Sequence, residues 1–138
     1  MLYVDTNVFI VYLTGTPSHQ GRLAHAFFKD LSIGSVIATT TEGVLVEATQ
    51  VLSSKKGLAY PRDQISHELK RILAFRGLRL KRLELHLRAL DRFAATNLDY
   101  VDCILIESAD GPDDAVISFD RDYDRVRAGI RLESASDN

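Results

Sequence analysis

The sequence predicts an α/β fold, a mainly parallel sheet with helices covering both faces. Short apolar runs at Leu2–Val4, Ser35–Ala38 and Ala115–Phe119 read as buried strands. Between them lie longer segments whose apolar residues recur at helical spacing. Strands separated by helices favour parallel pairing, because each crossover helix returns the chain in the same direction. The length of 138 residues suits one domain, residues 1–138, with a substantial core.

The elements follow in order. After the strand Leu2–Val4, the apolar run Val8–Leu13 opens a helix that Gly15-Thr16-Pro17 breaks. A second helix is expected from about Ser18 to Leu31, with Leu23, Ala24, Phe27, Phe28 and Leu31 on one face. Ser35–Ala38 is the second strand. Thr39 and Glu42 carry a capping-box signature for a helix through about Leu52. Ser53–Tyr60 is rich in turn residues, and Pro61 suits the first position of the next helix. That helix places Ile65, Leu69, Ile72 and Leu73 on one face and runs to about Phe75, with Gly77 ending it. Leu78-Arg79-Leu80 reads as extended. Helices over Glu84–Ala95 and Tyr100–Ala109 come next, then a turn at Gly111-Pro112-Asp113-Asp114. The strand Ala115–Phe119 precedes a last one at Ile130–Leu132.

A hydrophobic fraction of 46% and a charged fraction of 26% fit a soluble globular protein. The longest apolar runs, Val8–Leu13 and Cys103–Ile106, are too short to cross a bilayer, so no membrane partner is expected. No export signal opens the chain, and the single cysteine, Cys103, lies in an apolar segment. A core thiol in a reducing cytoplasm is the expected setting. Charge is unevenly spread. Residues 55–96 carry eleven Lys or Arg against four acids, and residues 97–138 carry eleven acids against four bases. Solvated helix faces account for such a pattern, and so does an anionic polymer held beside a metal pocket.

Four acids sit in apolar settings: Asp5, Glu47, Asp102 and Asp120. Asp5 and Asp120 each follow a strand, at the carboxyl end where open α/β sheets place ligands. Asp5 is also a good helix cap, with Thr6 and Asn7 beside it. Glu47 lies along the stripe Val44, Ala48, Val51, Leu52, where a charge facing the core needs a partner or a metal. Asp102 sits in the first turn of a helix that is apolar on most sides, after Asp99 as the expected cap. Asp122 and Asp124 follow Asp120, Asp122 as an accessory ligand and Asp124 facing solvent. A doubly wound sheet should bring the four carboxylates to one pocket, where they would repel, and a hard divalent cation, Mg2+ or Mn2+, would relieve that repulsion. An acidic metal pocket near a basic segment points to phosphodiester cleavage.

The motifs Leu2-Tyr3-Val4-Asp5-Thr6-Asn7, Val44-Leu45-Val46-Glu47-Ala48, Leu98-Asp99-Tyr100-Val101-Asp102 and Ser118-Phe119-Asp120-Arg121-Asp122-Tyr123 resemble the PIN-domain family. They span essentially the whole chain in the family's order, and the compact length resembles VapC-type toxins. The resemblance implies a three-layer α/β/α sandwich and a Mg2+- or Mn2+-dependent endoribonuclease. It implies catalytic roles for Asp5, Glu47, Asp102 and Asp120, with Asp5, Asp102 and Asp120 as metal ligands and Glu47 binding metal or orienting water. Thr6, Asn7, Ser118 and Asp122 would support them. Ser118 stands for the usual threonine and Tyr123 for the common phenylalanine, while Cys103 and Ile104 are bulkier than the family's small residues. The family further implies a homodimer and a small antitoxin protein, expected to dock on the exposed parts of the helices at 18–31 and 41–53. Arg76, Arg79, Lys81 and Arg82, the densest basic group, are the candidate contacts to the phosphates of an RNA substrate.

Two rival readings fit the same residues. One is a nuclease-inactive RNA- or protein-binding module with a vestigial pocket. The other is a phosphatase with Asp5 as nucleophile, similar to haloacid-dehalogenase-like enzymes. Those carry a second acid two residues on, where this chain has Asn7.

Overall fold

Asp5 ends the first strand and starts the first helix. Its backbone is extended and its carboxylate accepts the Thr6 N–H, so it caps α1, Thr6–Thr14. The computed structural model describes residues 1–125 and 129–131. Gly15, at φ 63°, takes the left-handed conformation that closes α1. Ser18 opens α2, His19–Ile33, by accepting the Gly21 N–H at 3.0 Å.

The first strand, β1 (Leu2–Tyr3), pairs in parallel with β2 (Ala38–Thr39). β2 begins later than the apolar run Ser35–Ala38 suggests. The N–H groups of Ser35 and Val36 donate to Asp30 and complete the end of α2, so they are not available to a ladder. Leu78 forms a parallel bridge to Ala38, bearing out an extended Leu78.

Helix α3 is Glu42–Ser53. Its cap is Thr41, which accepts the Val44 N–H at 3.3 Å, so the expected Thr39–Glu42 capping box does not form. Thr39 belongs to β2, and Glu42 instead faces His86 and Arg82. Helix α4, Arg62–Leu73, follows Pro61 and stops two residues short of Phe75. Helix α5 is Leu83–Ala95, and α6 is Tyr100–Ser108. Asp99 holds the cap position of α6 without a side-chain cap bond.

The helices supply most of the core. α4 packs on α5 and α5 on α6, while α1 rests on α2 and α3. Arg62 fastens the bundle. Its guanidinium lies 3.7 Å from the Phe93 ring centre and donates to the carbonyls of Phe93 and Leu98. Cys103 is fully buried, as expected of a core thiol, and burial pushes its pKa up to about 11. Gly77 marks a close approach rather than a helix end. Its N–H donates to Leu31 at 2.8 Å, and an added Cβ would sit 2.0 Å from the Val36 carbonyl oxygen.

The late strand β3 (Val116–Ser118) pairs in parallel with β4 (Gly129–Arg131). Every described pairing is therefore parallel, as the α/β reading requires. Among the described residues, however, β1–β2 and β3–β4 form two separate pairs rather than one sheet. β2 is buried at both residues, as are Val4 and Val116, but much of the other strand surface is open. Leu2 and Tyr3 are 55% and 67% exposed, and Ile117 and Phe119 are 61% and 72% exposed, where buried strands were expected. Leu132 and the side chain of Asp124 lie outside the described residues.

Two outcomes test this packing. Gly77→Ala should lower unfolding stability by about 1–3 kcal/mol in urea titrations, because the new methyl overpacks a backbone contact. His86 is buried, with Nδ1 2.7 Å from the Tyr100 hydroxyl and Nε2 3.4 Å from Glu42. Burial lowers its pKa, Glu42 opposing that shift and Arg82 adding to it. Between that folded value and about 6.5, the unfolded chain binds more protons, so stability rises with pH. Stability should thus be lost as pH falls from about 6.5, levelling off below the folded value. Urea midpoints at about pH 5 and about pH 7.5 should show this loss in the wild type and a smaller one in His86→Gln.

Candidate active site

The proposed carboxylates are carried by four places in the fold: the head of α1, the middle of α3, the first turn of α6 and the turn after β3. Each is held in the same way. Asp5 Oδ1 accepts the Thr6 N–H at 2.8 Å. Glu47 Oε2 accepts the Thr6 hydroxyl at 2.9 Å. Asp102 Oδ1 accepts the Tyr123 hydroxyl at 2.5 Å. Asp120 Oδ1 accepts the Asp122 N–H at 2.9 Å. The second oxygen of each carboxylate has no hydrogen-bond donor among the described residues, and none of the four acids is paired there with Lys or Arg.

Thr6 joins the first two acids. It is buried, and it gives its backbone donor to Asp5 and its hydroxyl to Glu47. Tyr123 joins the other two. Its hydroxyl meets Asp102, its N–H donates to the Asp120 carbonyl, and the charges of both acids act on it. Burial first, then the bond to Asp102, raises the Tyr123 pKa, so the phenol stays protonated and remains a donor. Ser118 supports the same turn by accepting the Asp120 N–H at 2.9 Å. Asn7 lies with Asp5 on a mostly apolar cleft of about 510 Å3 that Val8, Leu23 and Phe27 also line.

The acids thus come as two groups, Asp5 with Glu47 and Asp102 with Asp120. Among the described residues, no three His, Cys, Asp or Glu side chains form a ready-made metal cluster. The expected convergence on one pocket assumed that β1 and β3 share a sheet edge, and they belong to separate strand pairs. Glu47 also differs from expectation. The buried face of α3 is Leu45, Ala48, Thr49 and Leu52, so Glu47 is exposed beside Thr6 rather than facing the core. Likewise α6, though apolar on most sides, is not buried on all of them. Val101 and Leu105 are exposed, and Asp102 is half-buried.

The basic candidates Arg76, Arg79, Lys81 and Arg82 are all exposed. Arg82 is engaged with Glu42 at 3.6 Å and with the Ser108 hydroxyl at 2.9 Å. Arg79 donates to the Arg76 carbonyl. Two contacts had no advance reading in the sequence. At Tyr123 the motif marks an aromatic residue in place of phenylalanine but not the aim of its hydroxyl. His86 shares its spacing with Leu85, Ala89, Leu90 and Phe93, a pattern that marks it as a buried histidine.

The candidate side chains offer only oxygens, the ligand type that a hard divalent cation takes, but among the described residues they are not gathered into one set. No helix among the described residues is long and apolar enough to cross a membrane. No curated protein matches the sequence. A family model, PIN domain, matches residues 2–129. PIN domains are generally metal-dependent nucleases, and proteins carrying them commonly bind RNA. With nearly its full length matched, this chain belongs to the PIN domain family.

Proposed function

We propose that this chain, as one domain over residues 1–138, is a Mg2+- or Mn2+-dependent endoribonuclease and the toxin of a toxin–antitoxin pair. One observation carries the reading. Four carboxylates each have one oxygen fixed by a protein donor and one with no described donor. A helix cap and a turn account for the bonds of Asp5 and Asp120, but Glu47 and Asp102 are held by hydroxyls from distant parts of the chain, which local capping does not explain. Family membership supports the same chemistry.

In this reading Asp5, Asp102 and Asp120 hold the cation, and Glu47 binds it or orients the attacking water. A bound divalent cation supplies charge stabilisation at phosphate and a lowered pKa for water. Thr6 keeps Asp5 and Glu47 at a fixed separation through its two donors. Ser118 and the Asp122 N–H keep Asp120 in its turn, and Asn7 offers a polar contact on the cleft beside Asp5. Arg76 and Lys81 form no described ion pair, which leaves their charge for RNA phosphates, while Arg79 and Arg82 contribute less freely. Such contacts give affinity and salt dependence without reading sequence. A small antitoxin on the exposed parts of α2 and α3, a homodimer and a cytoplasmic setting complete the proposal.

Purified protein incubated with RNA should cleave it with Mg2+ or Mn2+ and stop on adding EDTA. Asp5→Asn should lower the rate by more than the roughly 10–100-fold typical of losing an outer-shell partner. Cleavage that survives both EDTA and the substitution would sink the mechanism. Metal binding with no cleavage across a broad RNA panel would favour the inactive binding module.

Thr6→Val keeps the shape of the side chain and removes the donor to Glu47. Mn2+ affinity and cleavage should each fall by about 10–100-fold, with Thr6→Ser restoring both. Unchanged affinity in Thr6→Val would show that Glu47 needs no such restraint.

A further inference from the structure

From Thr6 to Lys29 the chain contains no Asp or Glu, while it carries His19, Arg22, His25 and Lys29. Arg22, His25 and Lys29 stand three and then four residues apart, which puts them on one side of α2. All three are exposed. Neither Arg22 nor Lys29 has an acidic partner among the described residues. The next acid, Asp30, follows Lys29 directly and so lies on a different side of the helix. This face spans about 10 Å along the helix and its positive charge is uncompensated.

The face borders a shaped surface. Arg22 and His25 line a cleft of about 300 Å3 with Tyr12, Gly15, Thr16 and Gly21. The Tyr12 ring stacks on Phe28 with centres 4.2 Å apart, and the His25 ring centre lies 6.3 Å from it. Arg71 of α4 donates to the Tyr12 hydroxyl at 3.1 Å and is paired with Glu68 at 2.9 Å. Tyr12 is therefore fixed and the Arg71 charge partly neutralised, which leaves Arg22 and Lys29 as the open cations. By contrast, Arg82 is engaged with Glu42 and Ser108, and Arg79 with a carbonyl. α1 begins beside Asp5 and ends at the cleft, about 13 Å away. A strand with one phosphate at Asp5 reaches the cleft within a few nucleotides. Open cations spaced along a helix suit a ligand whose negative charge repeats, and a guanidinium can grip a phosphate with two donors.

We propose that Arg22, His25 and Lys29, with the cleft against Tyr12, form a second RNA-contact surface that binds backbone phosphates of a single-stranded segment flanking the cleavage site. It holds the strand without reading its bases. The proposal rests on the reading of the chain as a ribonuclease.

The test is fluorescence anisotropy of labelled single-stranded RNA, in EDTA so that binding is read apart from cleavage, across a range of KCl concentrations. Each phosphate contact contributes about 0.7 to the slope of log affinity against log salt. The slope should therefore be shallower by about 0.7 in Arg22→Gln and by about 1.4 in Arg22→Gln/Lys29→Gln. Arg22→Lys, which keeps the charge, should retain the wild-type slope. The affinity loss should be equal for RNAs of different sequence. An unchanged slope in the double variant overturns the proposal, and a loss confined to one base composition overturns binding without base reading. If the double variant loses affinity for polyglutamate but keeps its affinity for RNA, the face serves an acidic protein segment and the proposal falls. A wild type that neither binds RNA in EDTA nor cleaves it with Mn2+ overturns the ribonuclease reading itself.

Discussion

Thr6 places both of its donors on carboxylates, its N–H on Asp5 and its hydroxyl on Glu47. As the first residue of α1, it carries an N–H with no partner inside the helix. Asp5 meets that need, so the acid that ends β1 is fixed by the helix it starts. The hydroxyl then ties α1 to α3 across 41 residues of chain. Phe9, one turn on, is buried against Phe28 with ring centres 5.5 Å apart, which seats α1 on α2. One buried neutral residue therefore fixes the separation of two acids that would otherwise push each other apart.

The second pair depends on a different frame. Asp102 lies on α6, and α6 is placed by α5 and α4. Arg62 of α4 reaches the carbonyls of Phe93 and Leu98, at the end of α5 and just before α6. Arg92 on α5 meets Glu107 on α6 at 3.0 Å, a half-buried ion pair across the same α5–α6 contact. At the other end, Glu42, His86 and Tyr100 form a polar chain through α3, α5 and α6. The Tyr100 hydroxyl can donate to Nδ1, which leaves Nε2–H for Glu42. The heads of α3 and α6 are thus tied through a buried imidazole, and those two helices carry Glu47 and Asp102.

Helices were legible in the sequence because their signal is local and repeated. Ile65, Leu69, Ile72 and Leu73 announce α4, and all four are buried. Strands were less legible because β1 and β2 have only two residues each, and their pairing is decided by distant chain. An apolar run such as Ala115–Phe119 marks where a strand begins, not whether both faces are covered. Glu47 stood out for a reason the structure does not support. The stripe through Val44 and Val51 is rotated from the true buried face at Leu45, Ala48, Thr49 and Leu52. Its bond to Thr6 joins residues from separate helices, which no local pattern encodes. Tyr123 shows the same limit. Its ring belongs to a recognisable motif, but the aim of its hydroxyl depends on where α6 lies.

The restraint on each carboxylate bears on how folding and metal binding relate. In small zinc domains the ligands have no structure without the metal, so binding and folding are one event. Here each acid already has a protein donor on one oxygen, supplied by a helix start, a turn or a core-anchored phenol. The described fold therefore has no need of a cation to keep these side chains in place. On the proposed reading a cation would bind through the remaining oxygens without breaking any of those four bonds. What it would change is the relation between the two groups, since Asp5–Glu47 and Asp102–Asp120 rest on different supports. Four negative charges on two separate supports favour distance, and a shared divalent cation reverses that preference. The protein donors thus set the aim of each acid, and the cation would set how closely the two groups approach.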